Sequence, residues 1–293
     1  MSDIGVQGSN FTTTIHSDTY PAIDPQKCNL SGKYVFITGA SKGIGRATAL
    51  SYAKAGCAGI GIGARSDLSD LTPLLIQAAK EAGRSEPLVI AVTMDVTNVE
   101  SVQEAANKIT SSFPRLDILI NNAGYLEKRS KIAESDPVEW QKTWSVNMIG
   151  PYLVSRAFLP HMLNKGGDKI IVNVASIAAL LVMSGASAYH TTKLALLRFT
   201  EFLDMDHGPD GVLAFAVHPG GVMTDMGKRL PEEVHDRLSE TPELCGDTLV
   251  FLTAKRREWL ATRYISVTWD MEEFLQREKE VVHDQKLKVR MRL

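Results

Sequence analysis

The sequence predicts an α/β chain: one parallel, doubly wound sheet of about seven strands with helices on both faces. Three observations carry that prediction. Short apolar runs rich in β-branched residues alternate with longer helical stretches from Tyr34 to Val267, the order expected of parallel strands joined by crossover helices. The first of these runs passes directly through a glycine-rich turn into a helix, the setting in which a phosphate-bearing ligand meets free backbone N–H groups. The polar residues of interest follow the carboxyl ends of strands, which right-handed crossovers bring to one edge.

Residues 1–30 are polar, contain Pro21 and Pro25 and keep no period, so they read as an extended arm. Residues 34–37 are the first strand and the Ala-rich stretch 46–55 the first helix. Residues 59–64 alternate Gly with Ile and Ala; their glycines lie inside a strand, not at a strand-to-helix turn, and mark no ligand. Thr72-Pro73 reads as an N-cap with proline at the first helical position, opening a helix to about Ala82. Residues 88–94 are the third strand, and Thr97-Asn98-Val99-Glu100 fits a capping box for a helix to about Phe113. Residues 118–120 are the fourth strand. Asp136-Pro137-Val138-Glu139 opens a long helical stretch toward Leu163, with a kink expected at Gly150-Pro151. Residues 170–174 form a strand, 189–205 a helix and 213–217 a sixth strand. The charged segment 222–240, with Pro231, sits where a lid would. Thr241-Pro242-Glu243 caps a helix to about Ala254, residues 264–267 are the last strand and 269–282 a final amphipathic helix. The expected organisation is an arm over 1–30, one main domain over 31–268, and a helix with a basic tail over 269–293.

Composition narrows the function. Hydrophobic residues make up 44% of 293, ample for a core, and a formal net charge of -2 gives no ground for nucleic acid as a partner. Cys28, Cys57 and Cys245 lie far apart with no C-x-x-C pair, which suits a reducing compartment. No apolar run reaches membrane-spanning length and no targeting pattern opens the chain, so a cytoplasmic protein without a membrane partner is expected. No metal site is expected either. The tail carries Lys286, Lys288, Arg290 and Arg292, which a solvated charged end explains more simply than an acidic partner.

Gly39, Gly43 and Gly45 remove side chains where a backbone must turn, approach a pyrophosphate and let a helix pack on its strand. Thr38 to Gly45 resembles the T-G-x-x-x-G-I-G turn of the short-chain dehydrogenase/reductase family, and Asn121-Asn122-Ala123-Gly124 resembles its N-N-A-G. Tyr189 and Lys193 look like its Y-x-x-x-K, and Pro219-Gly220 followed by Thr224 like the turn at the nicotinamide end. The resemblance covers about residues 30–255. It implies a Rossmann-like fold, hydride transfer between a nicotinamide cofactor and a ketone or secondary alcohol, and Asn147, Ser176, Tyr189 and Lys193 as the catalytic four. It also implies cofactor contacts from Thr38, Gly39, Ser41, Lys42, Gly43, Ile44 and Gly45, from Asp95-Val96, and from Asn122, Ala123 and Gly124. Tyr189, Lys193, Pro219, Gly220, Val222 and Thr224 complete that set. Asn147 is similar to the family's helix-distorting asparagine, which anchors a water in the proton relay toward Lys193.

The chemistry can also be argued from the residues. Tyr189 and Lys193 are four apart and share a helix face. A phenol with a pKa of about 10 is a poor proton carrier near neutrality, and an adjacent ammonium is expected to lower it. Ser176 follows the fifth strand, where a hydroxyl can polarise a carbonyl. Singly, each has a plainer reading: a packed tyrosine, a solvated lysine, an N-cap serine, a stray asparagine. Together and in this order they point to a site.

Cofactor choice follows from two cations. An acid after the second strand would accept from the 2′-hydroxyl of NAD; here the position is Ala64-Arg65, and Lys42 sits inside the glycine turn. NADP(H) is therefore expected, the plainer reading being two surface cations. The ending, with Trp269-Asp270 in place of a glycine-rich turn, and the arm with Tyr20-Pro21 look like fungal members of the family, many of which act in secondary metabolism. A homodimer is expected because Leu194, Leu197, Phe199 and Phe202 give more apolar surface than one helix face needs, while the usual tetramer contact is in doubt. Leu180, Leu181, Val182 and Met183 favour an apolar or aromatic ketone over a sugar, and His190 beside Tyr189 reads as structural or pocket-lining. The alternative is an NADP-binding protein of this fold with a non-redox role, as isomerase, cyclase or cofactor sensor.

Overall fold

The computed structural model describes residue 8 and residues 10–291. Seven parallel strands form one sheet in the order β3-β2-β1-β4-β5-β6-β7. They are β1 (Tyr34–Thr38), β2 (Gly59–Ala64), β3 (Leu88–Thr93), β4 (Ile118–Asn121), β5 (Ile170–Val174), β6 (Leu213–His218) and β7 (Tyr264–Ser266). The side-chain period of two divides each strand between two cores. Val35, Ile37, Ile118, Ile120, Ile170 and Val172 pack with α1 (Gly43–Lys54), α2 (Leu71–Glu81) and α7 (Pro242–Ala254). Phe36, Leu119 and Ile171 pack with α3 (Val99–Ser112), α5 (Gly150–Lys165) and the later turns of α6 (Ser187–His207). With both faces covered, the central strands are apolar throughout instead of alternating, which is why they stand out in the sequence.

The glycines of β2 serve this packing. A Cβ on Gly59 would lie 2.5 Å from the Tyr34 ring and one on Gly61 2.7 Å from the Phe36 ring. Their absence admits the aromatics.

Two helix starts differ from expectation. Asp70 precedes α2, leaving Thr72-Pro73 inside its first turn. Asn98, not Thr97, caps α3, its Oδ1 accepting from the Ser101 N–H at 2.7 Å, because the Thr97 hydroxyl is spent on Asp95 at 2.7 Å. The expected kink is a π-turn over Ser145–Ile149, between α4 (Pro137–Trp144) and α5. Pro151 has no N–H for the carbonyl four residues back, and the helix widens where that bond is missing.

The final helix is not continuous. It breaks at Arg277 into α8 (Met271–Gln276) and α9 (Glu278–His283), and Trp269 is buried in the turn before it. The N-terminal arm packs on this region. Trp269 Nε1 donates to the Gly8 carbonyl at 3.0 Å, and Phe11 lies 5.1 Å from the Trp269 ring. The Thr13 N–H donates to the Glu273 carboxylate at 2.7 Å, and the Met271 N–H to the Tyr20 hydroxyl at 2.7 Å. Past α9, the Leu287 carbonyl accepts from the Tyr264 N–H at 2.8 Å and covers part of the β7 edge. Lys286 pairs with Glu280 and Arg290 with Glu201, so this much of the basic tail is tied to the surface. Arg292 lies outside the described residues. Among the described residues no helix is long and apolar enough to cross a membrane.

Candidate active site

β1 and β4 are neighbours whose crossovers leave in opposite directions, which opens a crevice at their carboxyl ends. Thr38 and Asn122 lock those ends together. Thr38 Oγ1 accepts from the N–H groups of Asn122 and Ala123, each at 3.0 Å, and Asn122 Nδ2 donates to the carbonyls of Thr38 at 2.9 Å and Gly39 at 3.2 Å. The turn that follows has no room for a side chain at Gly39 or Gly45. A Cβ on Gly45 would stand 2.4 Å from the Gly39 oxygen and 2.5 Å from Asn122 Nδ2, and Gly39 has φ +67. α1 then starts at Gly43 with no side-chain cap, so its first N–H groups remain available to an anion.

An open cavity of about 470 Å³ runs from this turn to α6. Of the candidate residues, Thr38 and Asn147 stand behind its wall and all the others line it. At the α6 end, Ser176 Oγ accepts from the Ala178 N–H at 3.1 Å. The buried Lys193 ammonium donates to the Val174 carbonyl at 2.7 Å and lies 5.6 Å from the centre of the Tyr189 ring. Burial pushes Lys193 down to about 8. Burial also pushes the Tyr189 phenol up to about 12, a hydrogen bond with Ser176 offsetting part of this and the Glu127 carboxylate adding to it. The direction is opposite to the one expected from the Tyr189–Lys193 spacing. Burial sets that direction.

Asn147 lies in the π-turn, and its amide is committed to protein partners. Oδ1 accepts from the Tyr125 N–H at 2.8 Å, while Nδ2 donates to the Tyr125 carbonyl at 2.8 Å and to Thr192 Oγ1 at 3.2 Å. It straps the loop after β4 as a strand partner would. His190 is likewise occupied, its Nδ1 lying 2.7 Å from the Leu181 carbonyl.

Sequence reasoning placed Glu127 in the expected pocket lining over 125–131 and Asp225 and Arg229 in the expected lid, and gave none of them a role of its own. Glu127 is buried at the start of α6, where Oε1 accepts from the Tyr189 N–H at 3.0 Å and Oε2 from Thr143 Oγ1 at 3.1 Å. His218 ends β6 with Nδ1 buried and unpartnered, and burial pushes it down to about 4. Segment 222–240 is held at two points: Asp225 meets Lys42 at 2.7 Å, and Arg229 donates to the Tyr125 hydroxyl at 3.0 Å. Arg65 stands 3.9 Å from Asp95. Burial works against the Asp95 charge, but hydrogen bonds from Thr97, with Arg65 nearby, hold its carboxyl below the usual range. Glu127, His218, Asp225 and Arg229 have no local sequence signature. Among the described residues no cluster of three or more His, Cys, Asp or Glu side chains could hold a metal ion.

A sequence model of a known family, described as short chain dehydrogenase, matches residues 33–235. The chain belongs to the short-chain dehydrogenase family. Similar family members come from fungi. A short chain dehydrogenase of Monascus purpureus is 48% identical over 284 residues, 97% of each chain. One of Monascus ruber is 49% identical over 96% of this chain and 93% of the relative. Among solved structures, a short-chain type dehydrogenase/reductase from Mycobacterium marinum superposes with a TM-score of 0.71 at 25% identity, over 84% of this chain and 97% of that one. An alcohol dehydrogenase from Thermococcus sibiricus, complexed with 5-hydroxy-NADP, superposes with 0.67 at 26% identity, over 80% and 95%. In this chain the glycine turn and the Y-x-x-x-K helix face one cavity.

Proposed function

We propose that this short-chain dehydrogenase is an NADPH-dependent reductase of an apolar or aromatic ketone, acting in fungal secondary metabolism, with Asn147, Ser176, Tyr189 and Lys193 as its catalytic set. The observation that carries this reading is the cavity itself, with Ser176, Tyr189 and Lys193 at one end and the glycine turn at the other. A dinucleotide fits that shape. The N–H groups at the start of α1 would hold its pyrophosphate, Asp95-Val96 its adenine, Lys193 its nicotinamide ribose, and Pro219, Gly220, Val222 and Thr224 its nicotinamide end. When bound, the cofactor supplies the hydride.

The side chains do the rest. Ser176 donates to the carbonyl oxygen and Tyr189 delivers the proton. A phenol raised to about 12 keeps its proton at neutral pH, so the resting site is prepared for reduction, and oxidation of an alcohol gains as pH rises. Pro151 has no N–H to give the Asn147 carbonyl, which leaves that oxygen for a water in the relay to Lys193.

NADP is favoured over NAD because Arg65, with 63% of its side chain exposed, stands where an NAD-type carboxylate would. Lys42 lies across the turn, and the alcohol dehydrogenase from Thermococcus sibiricus is complexed with 5-hydroxy-NADP. Segment 222–240 serves as the lid. The protein acts in the cytoplasm as a homodimer through α5 and α6, where Tyr152, Leu194 and Phe202 are exposed while Leu197 turns into the core. The tail over the β7 edge leaves less room for a tetramer contact.

The test is fluorescence titration with NADPH and NADH, then absorbance decay with aromatic ketones, for the wild type and Tyr189→Phe. Preferential NADPH binding by both proteins, with oxidation by the wild type alone, is expected. Absence of nucleotide binding, or an unimpaired Tyr189→Phe, would overturn the reading.

A further inference from the structure

The part of the cavity beyond the glycine turn is walled largely by Leu126, Leu181, Met183, Met226, Leu230 and Leu238. One cation breaks this apolar lining. Arg129, on the loop after β4, lines the same cavity, and its Nε–H is buried with no hydrogen-bond partner. Its Nη2 reaches only the weak acceptor Met183 Sδ, at 4.0 Å. Of the other cavity cations, Lys42 pairs with Asp225 and Lys193 donates to the Val174 carbonyl, while Arg65 stands 3.9 Å from Asp95 at the glycine-turn end. The nearest acid in sequence, Glu127, has both oxygens taken by Tyr189 and Thr143.

Arg129 is also held in place. The Ser130 N–H donates to the Gly185 carbonyl at 3.0 Å, tying this loop to the one before α6. Gly185, at φ +78, packs so closely that a Cβ there would meet the Ser130 nitrogen at 3.2 Å and Arg129 Cβ at 3.5 Å. A guanidinium is a donor fork with no acceptor of its own, and a buried N–H left unpaired is costly unless a ligand brings an acceptor. The ligand group that matches a planar fork carrying full charge is a carboxylate. Lys128 and Lys131, exposed on the same loop, add positive field at the mouth.

Resting on the reductase reading above, we propose that Arg129 binds a carboxylate of the substrate. The substrate is then an apolar or aromatic carbonyl compound that also carries a free acid, with the carbonyl at Ser176 and Tyr189 and the acid at Arg129. The arginine selects the substrate and takes no part in the proton transfer.

The test compares para-acetylbenzoate with its methyl ester, and an acetylnaphthoate with its methyl ester, on the wild type, Arg129→Gln and Arg129→Lys. Two quantities are read: kcat/KM with NADPH and, independently of turnover, Kd by calorimetry in the presence of oxidised NADP. The wild type is expected to prefer each acid over its ester by about 10- to 100-fold, the worth of a charge-assisted hydrogen bond. Arg129→Gln should erase the preference by weakening the acid far more than the ester, and Arg129→Lys should restore part of it. Equal handling of acid and ester by the wild type, including failure to bind either, overturns the proposal, as does a preference that survives in Arg129→Gln. A preference in Kd without NADPH oxidation upholds the role of Arg129 and counts against the reductase reading instead.

Discussion

His218 closes β6 with its imidazole buried and Nδ1 unpartnered, so protonating it places a charge where nothing answers it. Burial lowers its pKa to about 4 from the ordinary 6.5. Between those values the unfolded chain binds a proton that the folded chain refuses. The stability this neutral histidine leaves intact is fully present above about pH 6.5 and is lost as pH falls toward about 4. A difference of roughly 2.5 in pKa, at about 1.4 kcal/mol for each, puts the full loss at about 3 to 4 kcal/mol. His218→Gln cannot take up that proton, and the other titrating groups are common to both proteins. Urea unfolding of the cofactor-free protein, followed by tryptophan fluorescence at about pH 7.5 and about pH 4.5, should therefore show the wild type losing about 2 to 3 kcal/mol more than the variant. Equal losses would refute the assignment of His218 as a buried neutral base.

Gly45→Ala puts a methyl 2.4 Å from a backbone oxygen, and a nucleotide titration should show loss of NADPH binding together with a lowered Tm. Asp225→Asn releases Lys42 from its 2.7 Å ion pair, so NADPH should bind about two- to fivefold tighter with NADH unchanged, as expected of an exposed pair; weaker NADPH binding would mean that the carboxylate positions the lysine. Trp269→Ala removes a fully buried indole packed tilted or edge-on among Phe11, Tyr264 and Phe274, and denaturant midpoints should report a loss of about 3 to 5 kcal/mol.

The strands and the glycine turn were legible because their causes are local. A run such as Ile170–Val174 is apolar on both sides whatever lies far away, and Thr38 to Gly45 combines a strand end, a turn and a helix start in one stretch. The meaning of Glu127, Arg129, His218 and Asp225 lies in partners, or missing partners, that only the fold supplies. Each looks like an ordinary loop or strand-end residue in the chain. The same limit explains the pKa of Tyr189: spacing places Lys193 on its helix face, but spacing says nothing about how much water the fold removes. At the helix starts, Thr72 and Thr97 fit the expected pattern while Asp70 and Asn98 hold the cap positions. The break at Arg277 falls in a stretch whose periodicity continues across it, and what accompanies it is the arm, about 260 residues away in sequence.

That arm has a consequence for the chain's history and for its redesign. The segment ending at Tyr20 and the segment from Trp269 to Arg277 complete one another's hydrogen bonds and aromatic packing, although about 250 residues separate them in sequence. An exchange that imported only one of them from a relative would leave an indole uncovered and a carboxylate without its donors. Recombination must therefore inherit these two segments as a single heritable unit, and any chimaera built around this cavity should carry both from one parent.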